Sequence, residues 1–464
     1  MSFKIQTGEF KEIWNRNWNN QLFQPVDNSF LVLFRILFGA IMFWEVTRYF
    51  RYGWIDRYWI EPLFNFSYAP FYLNPLPDKG MYMVWLMLGI LAILIILGLF
   101  YRFATSFFFL LFSYSYLLEQ GRYLNHFYLI ILISFLMIFL PANRNFSLDS
   151  RFRKQIKTPF APLWTLWLVR FIIAVPYFFG GVAKLNPDWL QGYPLAIWLN
   201  PDFPIIGQYF EEQWMVLFIS YSGLMLDLFI VPFLIWKKSR WPAFIFITLF
   251  HLMNSQLFSI GIFPWFMIGA TTMFFPPGWP RKALQFISDK VKTLTEKDLV
   301  LYSEPPARKR EIILGALAIF AAIQVFLPLR HWLIPGNVHW TEGGHKYSWH
   351  MKLRSKYGDT TFMLENKANK ERVVVDLRGY LEDWQIDDMH GMPHMIWQFA
   401  QYLKEEYAQS GLDVAVYVEA LASLNGREPQ YIIDPNVDLT TVSRPWKGHA
   451  WWYEQLETPL DKKW

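Results

Sequence analysis

MYMVWLMLGILAILIILGLF, residues 81–100, is a run of twenty positions without one charged side chain. At about 1.5 Å per residue such a run crosses the roughly 30 Å hydrocarbon core of a bilayer as a single helix. Working outward from it, apolar runs recur at 29–48, 103–118, 127–142, 162–183, 214–236, 241–254, 259–276 and 311–329. The runs at 103–118 and 241–254 are short. The last of these and its successor, split by Asn254-Ser255-Gln256, read as a broken hairpin buried among the other helices. The expected fold is a polytopic α-helical membrane bundle of eight to nine transmembrane helices over residues 1–329. A small α+β domain over 330–464 follows it.

Composition agrees. Of 464 residues 54% are apolar and 17% charged, where a soluble chain carries about a quarter charged. Cysteine is absent, which excludes a disulfide scaffold, a zinc-thiolate site and a thiol nucleophile. Lys and Arg exceed Asp and Glu by 9 over residues 1–329, and fall short by 4 over 330–464. The basic excess sits in short loops between apolar runs, so it points to a lipid bilayer and to no nucleic acid. With the N-terminus inside, the inner segments carry 20 Lys/Arg and the outer loops 5. That bias predicts nine crossings and an extracytoplasmic C-terminal domain.

Past residue 330 the pattern changes. Tyr347–Leu353, Thr360–Glu365, Glu371–Leu377 and Val414–Ala420 read as strands, Pro393–Ala408 as a helix, and Asn425-Gly426 as a turn. Trp446, Trp451 and Trp452 are expected at the membrane interface.

Ionisable groups at membrane depth are costly and by default face the bundle interior. Here they are Arg35, Glu45, His126, Arg170, Lys184, Asp227 and His251. For Arg35, Glu45, Arg170 and Asp227, pairing between helices is the plainer account. The loop charges place Lys184, the Asn125-His126 pair, and His251 with Asn254 at one membrane face. Lys184 follows the closely packable Phe178-Phe179-Gly180-Gly181-Val182-Ala183. Two readings stand for it: a neutral amine acting as a base in an apolar pocket, or an amine snorkelling to the surface. His390 and His394 are four apart, but Gly391 and Pro393 interrupt the helix a zinc site would need, so no metal is expected.

FHLMNSQLFSIGIF (250–263), GWPRK (278–282), LVLFRILFGAIM (31–42), Asn125-His126, GGVAKLNPDWLQGYP (180–194), FLPLRHWL (326–333) and HKYSWHMKLR (345–354) together resemble the vitamin K-dependent γ-glutamyl carboxylase family and its broader HTTM relatives. The resemblance runs from about residue 28 to past 440, with FHLMNSQLFSIG as its most specific part. It implies an integral-membrane enzyme of the carbon–carbon lyase class. Such an enzyme oxidises vitamin K hydroquinone, or menaquinol, with O2 to the epoxide, and the strong base so formed removes a γ-proton from a peptide glutamate that then adds CO2. The resemblance implies Lys184 as the base, with His126, His251 and Asn125 beside it. It further implies Asn254, Phe178 and Phe179 around the quinol, and Tyr347, Trp349 and Arg354 toward the glutamate-containing protein or peptide. Animal members often carry two adjacent lysines in this motif, and here the first position is Ala183. Two alternatives remain open: a quinol epoxidase that does not carboxylate, and a membrane transporter.

Overall fold

The computed structural model describes residues 21–461 apart from 69, 259, 289–290, 295–297, 299–301 and 446–449. Among the described residues nine helices occupy the nine apolar runs. They are α1 (Ser29–Arg51), α2 (Gly80–Leu97), α3 (Tyr101–Leu117), α4 (Asn125–Phe139), α5 (Leu163–Ala183), α6 (Gln213–Ile235), α7 (Arg240–Leu257), α8 (Phe263–Thr271) and α9 (Ala307–Leu329). Five of them, α1, α2, α5, α6 and α9, are long and apolar enough to cross a membrane. With nine residues, α8 rises only about 13 Å.

Helix α2 stops three residues short of the apolar run that contains it. Gly98 adopts a left-handed φ of +62°, and the Leu99 N–H turns back to Leu94 O at 3.0 Å, a glycine-terminated cap. The Asp149 carboxylate then accepts from the N–H groups of Phe100 (2.9 Å) and Tyr101 (3.0 Å), which starts α3. The expected break at Asn254-Ser255-Gln256 lies elsewhere. Ser255 returns its hydroxyl to Leu252 O at 2.7 Å, so α7 continues to Leu257. The chain turns instead around Gly261, at φ +58°. Nor is this hairpin buried, because Ile245, Phe246 and Leu249 leave one side of α7 exposed.

Polar contacts sort the loops onto two faces, and the division follows the loop charges. On the face assigned inward, Arg281 pairs with Asp27 at 2.6 Å, and Arg35 donates to Ala142 O (3.0 Å) and Phe146 O (2.7 Å). On the other face, three loops meet the C-terminal region. Trp384 Nε1 donates to Arg57 O (3.2 Å), Gln385 Nε2 to Glu119 (3.2 Å), and Arg427 to Asp188 (2.6 Å).

Ahead of α1 and α5 the chain pairs as a short antiparallel ribbon, β1 (Pro25–Asp27) with β2 (Phe160–Pro162), and the C-terminal region is an antiparallel sheet of four strands. Strand β3 (Lys356–Asn366) runs beside β5 (Val414–Leu424) over its whole length, with β4 (Arg372–Val374) and β6 (Gln430–Tyr431) at the edges. Helices α10 (Asp383–His390) and α11 (Pro393–Gln409) cover one side. Phe362, Phe399, Leu403, Val416 and Val418 form its core, and Phe66 reaches in from the α1–α2 loop. Trp452 is buried in that core while Trp451 is exposed; Trp446 lies outside the described residues.

One predicted strand is absent. Tyr347–Leu353 is irregular, with left-handed φ of +66° at Tyr347, +61° at Trp349 and +53° at Lys352. Such a backbone cannot continue a ladder, and its alternation of large residues comes from wedging into the helices. Trp349 is fully buried and packs on Tyr128 of α4 with centroids 5.3 Å apart.

The junction of the two regions holds a titrating carboxyl. Glu119 is buried and accepts from Gly121 N at 2.8 Å, and from Asn65 Nδ2, Phe66 N and Gln385 Nε2 at 3.2 Å. Burial, only partly offset by those bonds, pushes it up to about 7. Between about 4.5 and 7 the folded chain therefore binds this proton more tightly than the unfolded chain. The associated stability is present below that window and is lost as pH rises through it. The thermal midpoint of the wild type is expected to fall more between pH 5 and pH 7.5 than that of Glu119→Gln; parallel profiles would exclude this assignment.

Candidate active site

The turn after α5 is built to expose one amine to the bundle interior. Gly180 and Gly181 let α6 approach α5 closely. A Cβ at Gly181 would stand 2.8 Å from the Leu228 side chain and 2.9 Å from its backbone nitrogen, the use of small residues at a tight helix crossing. That approach brings Asp227 of α6 to the end of α5, where Lys184 Nζ donates to Asp227 Oδ2 at 2.5 Å. Both side chains are buried, so Lys184 does not snorkel to the surface. Asn186 caps the short helix Pro187–Leu190 through the Trp189 N–H at 3.0 Å. This sets the Trp189 ring 5.2 Å from the amine.

Lys184 and Asp227 line a cavity of about 950 Å³, together with Asn125, His126, His251 and Asn254. The six residues come from α4, the C-cap of α5, α6 and α7. Tyr177 also lines it, and its hydroxyl lies 2.7 Å from His251 Nε2 and 3.3 Å from Thr271 Oγ1. The Thr271 hydroxyl is itself spent on Met267 O at 2.6 Å. Two tautomers satisfy this trio: Tyr177 donating to Nε2 leaves the histidine proton on Nδ1, and Tyr177 donating to Thr271 leaves it on Nε2. In both, Nδ1 is buried with no partner among the described residues. Asn125 accepts from the Tyr123 hydroxyl at 3.0 Å and donates to His350 O at 3.5 Å. A Cβ at Gly261 would lie 3.3 Å from the Arg48 guanidinium and 4.0 Å from His126 Nε2. The glycine of the FSIG run thus gives Arg48 its room, while His126 would be in ordinary contact.

The cavity wall combines apolar and cationic side chains. Phe218 of α6 and Phe246 and Leu249 of α7 line it and are themselves exposed, so its wall reaches the outer surface of the helices. Arg48, Arg122 and Lys352 line it elsewhere. Arg48 pairs with Glu45 at 2.6 Å, and Arg122 stacks 3.9 Å over Tyr58.

Other expected site residues lie apart from this wall. Phe178 is exposed and Phe179 buried, and neither is among the lining residues, a place taken by Tyr177. Tyr347, Trp349 and Arg354 are near it in sequence, but Met351 and Lys352 supply the lining. Tyr347 packs against Tyr123 at 5.6 Å between centroids, and Arg354 is ion-paired with Glu342. His390 ends α10 and His394 lies in α11, where it faces Lys346 Nζ at 3.4 Å. Burial holds that Lys346 ammonium down to about 7. Of the other membrane-depth charges, Arg170 donates to the carbonyls of Met273, Phe274 and Phe275 at 3.0–3.2 Å. The plain structural role suffices there. Sequence reasoning missed Tyr177, Arg48 and Arg122, which carry no motif, and Lys352, which lies inside the HKYSWHMKLR run.

The family model for the HTTM domain matches residues 23–279. That of the vitamin K-dependent gamma-carboxylase lumenal domain matches 309–458. No solved structure matches the chain. The first match covers more than half of the sequence and contains every lysine, histidine and asparagine placed on the cavity wall except Lys352. The second takes in the whole sheet, and the chain belongs to the vitamin K-dependent γ-glutamyl carboxylase family, membrane carboxylases that work with vitamin K.

Proposed function

We propose that this cavity oxidises vitamin K hydroquinone with O2 to the epoxide and couples that oxidation to carboxylation of a peptide glutamate by CO2, as a carbon–carbon lyase. The observation that carries the reading is the buried Lys184–Asp227 contact of 2.5 Å on the same wall as His126, Asn125 and His251. Vitamin K hydroquinone, or menaquinol, supplies the reducing equivalents when bound. Its size and apolarity suit a mainly apolar cavity whose wall reaches the lipid-facing surface through Phe218, Phe246 and Leu249.

The residues then have separable tasks. A proton passed from the Lys184 ammonium to Asp227 frees the amine to take the proton of a quinol hydroxyl. His251 is fixed by Tyr177, and in the tautomer that carries its proton on Nδ1 it offers a donor to developing negative charge. Asn125 ties the entrance of α4 to the strained 347–352 segment, and Asn254 adds a polar group to the wall. Arg48, Arg122 and Lys352 are cations that suit a glutamate carboxylate arriving from beneath the C-terminal domain. A transporter would call for a cavity lined by Arg35, Glu45 and Asp227 alone. Arg35 is instead tied to the carbonyls of Ala142 and Phe146.

The test is purified protein in detergent with reduced vitamin K, with and without a glutamate peptide and labelled bicarbonate. Epoxide and incorporated label in the same samples are expected. Epoxide without label on any peptide would leave a quinol epoxidase.

The same reading makes the chain multi-pass, with its division near residue 329 and the C-terminal domain outside the cytoplasm. The Cys-free sequence allows a direct check. A cysteine replacing Asn369, exposed between β3 and β4, is expected to react with an impermeant maleimide in intact cells. One replacing Lys282, also exposed but on the opposite face, is expected to react only after lysis. The reverse pattern would invert the topology.

A further inference from the structure

The far side of the lysine motif is committed to another part of the chain. Asp188 stands four residues beyond the amine and is buried. It accepts from Arg427 Nη1 at 2.6 Å and Nη2 at 2.7 Å, one bond on each carboxylate oxygen, and from Asn425 Nδ2 at 2.7 Å. Arg427 spends further donors on Leu424 O (3.1 Å) and Thr458 O (3.2 Å). Asn425 and Arg427 belong to the turn that leaves β5, where Asn425 has φ +55° and Gly426 +83°. Asn425 Oδ1 also accepts from Ser355 N at 2.8 Å, next to the start of β3.

The near side of the motif is held by the helix that carries the partner of Lys184. Trp189 Nε1 donates to Ser220 O at 3.0 Å, and Ser220 Oγ donates to Trp189 O at 2.6 Å. Residues 184–189 therefore bridge α6 and the β5 turn, with the Trp189 ring against the amine. A two-pronged, buried carboxylate–guanidinium contact fixes direction as well as distance, and Asp188 has no solvent to fall back on when Arg427 withdraws.

We propose that Asp188, held by Arg427 and Asn425, is a positioning residue that places the Lys184 amine correctly only when the C-terminal domain is seated on the helices. Peptide engagement on that domain thereby gains a mechanical route to the oxidation site. The proposal rests on the reading of Lys184 as the base.

The experiment uses the full chain in detergent. Asp188→Asn and Asn425→Gly are expected to lower kcat for hydroquinone oxidation at least tenfold per folded molecule, with KM for the hydroquinone within twofold of wild type. The exchange Asp188→Arg/Arg427→Asp is expected to recover kcat to within about threefold. A role in stability alone would lower yield and thermal midpoint while leaving kcat per folded molecule unchanged, and that result overturns the proposal. Should the exchange not fold, Asn425→Gly decides, because glycine takes φ +55° without strain. A second readout is the labelling rate of Lys184 by an apolar amine-reactive reagent, referenced to Lys184→Ala. Asp188→Asn is expected to change it at least threefold. A wild type that oxidises no hydroquinone removes the base assignment but not the coupling. The labelling rate then decides, and an unchanged rate overturns it.

Discussion

Lys184→Ala is expected to slow hydroquinone oxidation by about 10²–10⁴-fold, the usual worth of a positioned general base. It is also expected to destabilise the protein. Asp227 keeps a buried carboxylate whose one charged partner within 4 Å among the described residues was that amine, and breaking a buried pair from one side costs about 3–5 kcal/mol. Activity and stability must therefore be read separately. Lys184→Met/Asp227→Leu removes both charges and is expected to regain most of the stability without regaining activity, since apolar replacements of buried pairs are often neutral. A small primary amine added to Lys184→Ala is expected to restore part of the oxidation by entering the vacated space. Thermal midpoints with initial rates of epoxide formation check all three variants. Wild-type epoxidation by Lys184→Ala would end the mechanism, whatever its stability.

The composition of the loops already contained the two faces of the molecule. Arg281 with Asp27 on one side, and Glu119 and Asp188 under the C-terminal domain on the other, fall where 20 against 5 basic residues put them. The convergence of Lys184, His126 and His251 was legible for the same reason: all three stand at helix ends on one face, and helix ends on one face are near each other. What was not legible is the rotation of each helix about its axis. Tyr177 and Phe178 are neighbours about 100° apart on α5, and only the first reaches the cavity. Nor does any periodicity reveal that Asp227, 43 positions from Lys184, is its partner, because the offset between α5 and α6 is decided by the fit of Gly181 to Leu228. The 347–353 segment failed for a different reason. Large residues alternate there as they do in a strand, and nothing in the residue types Tyr, Trp and Lys announces a positive φ.

The contact between Gly181 and Leu228 is where geometry and chemistry meet, so Gly181→Val is expected to have the second large effect. Its Cβ would overlap Leu228 Cγ and Cδ2 at 2.8 Å and the backbone nitrogen of Leu228 at 2.9 Å. A side chain can swing aside, but a helix backbone cannot, so α6 must move away from α5. Overpacking of this kind costs about 1–3 kcal/mol. Because Asp227 is the residue before Leu228, the displacement is transmitted to the 2.5 Å contact at Lys184. Misplacement by about 1 Å at a reacting group costs on the order of 10²-fold in rate. Gly315→Ala on α9, where an added Cβ meets nothing within 4 Å among the described residues, is the matched control and is expected to leave the rate unchanged without lowering stability. Epoxide formation and thermal midpoint, measured side by side, separate the two costs. If Gly181→Val oxidises hydroquinone at the wild-type rate while folded, the spacing of α5 and α6 does not set the position of the base, and Asp227 is only a counterion. If the rate falls a hundredfold while the midpoint falls by a few degrees, the glycine pair of the GGVAK motif is there to bring a carboxylate to an amine.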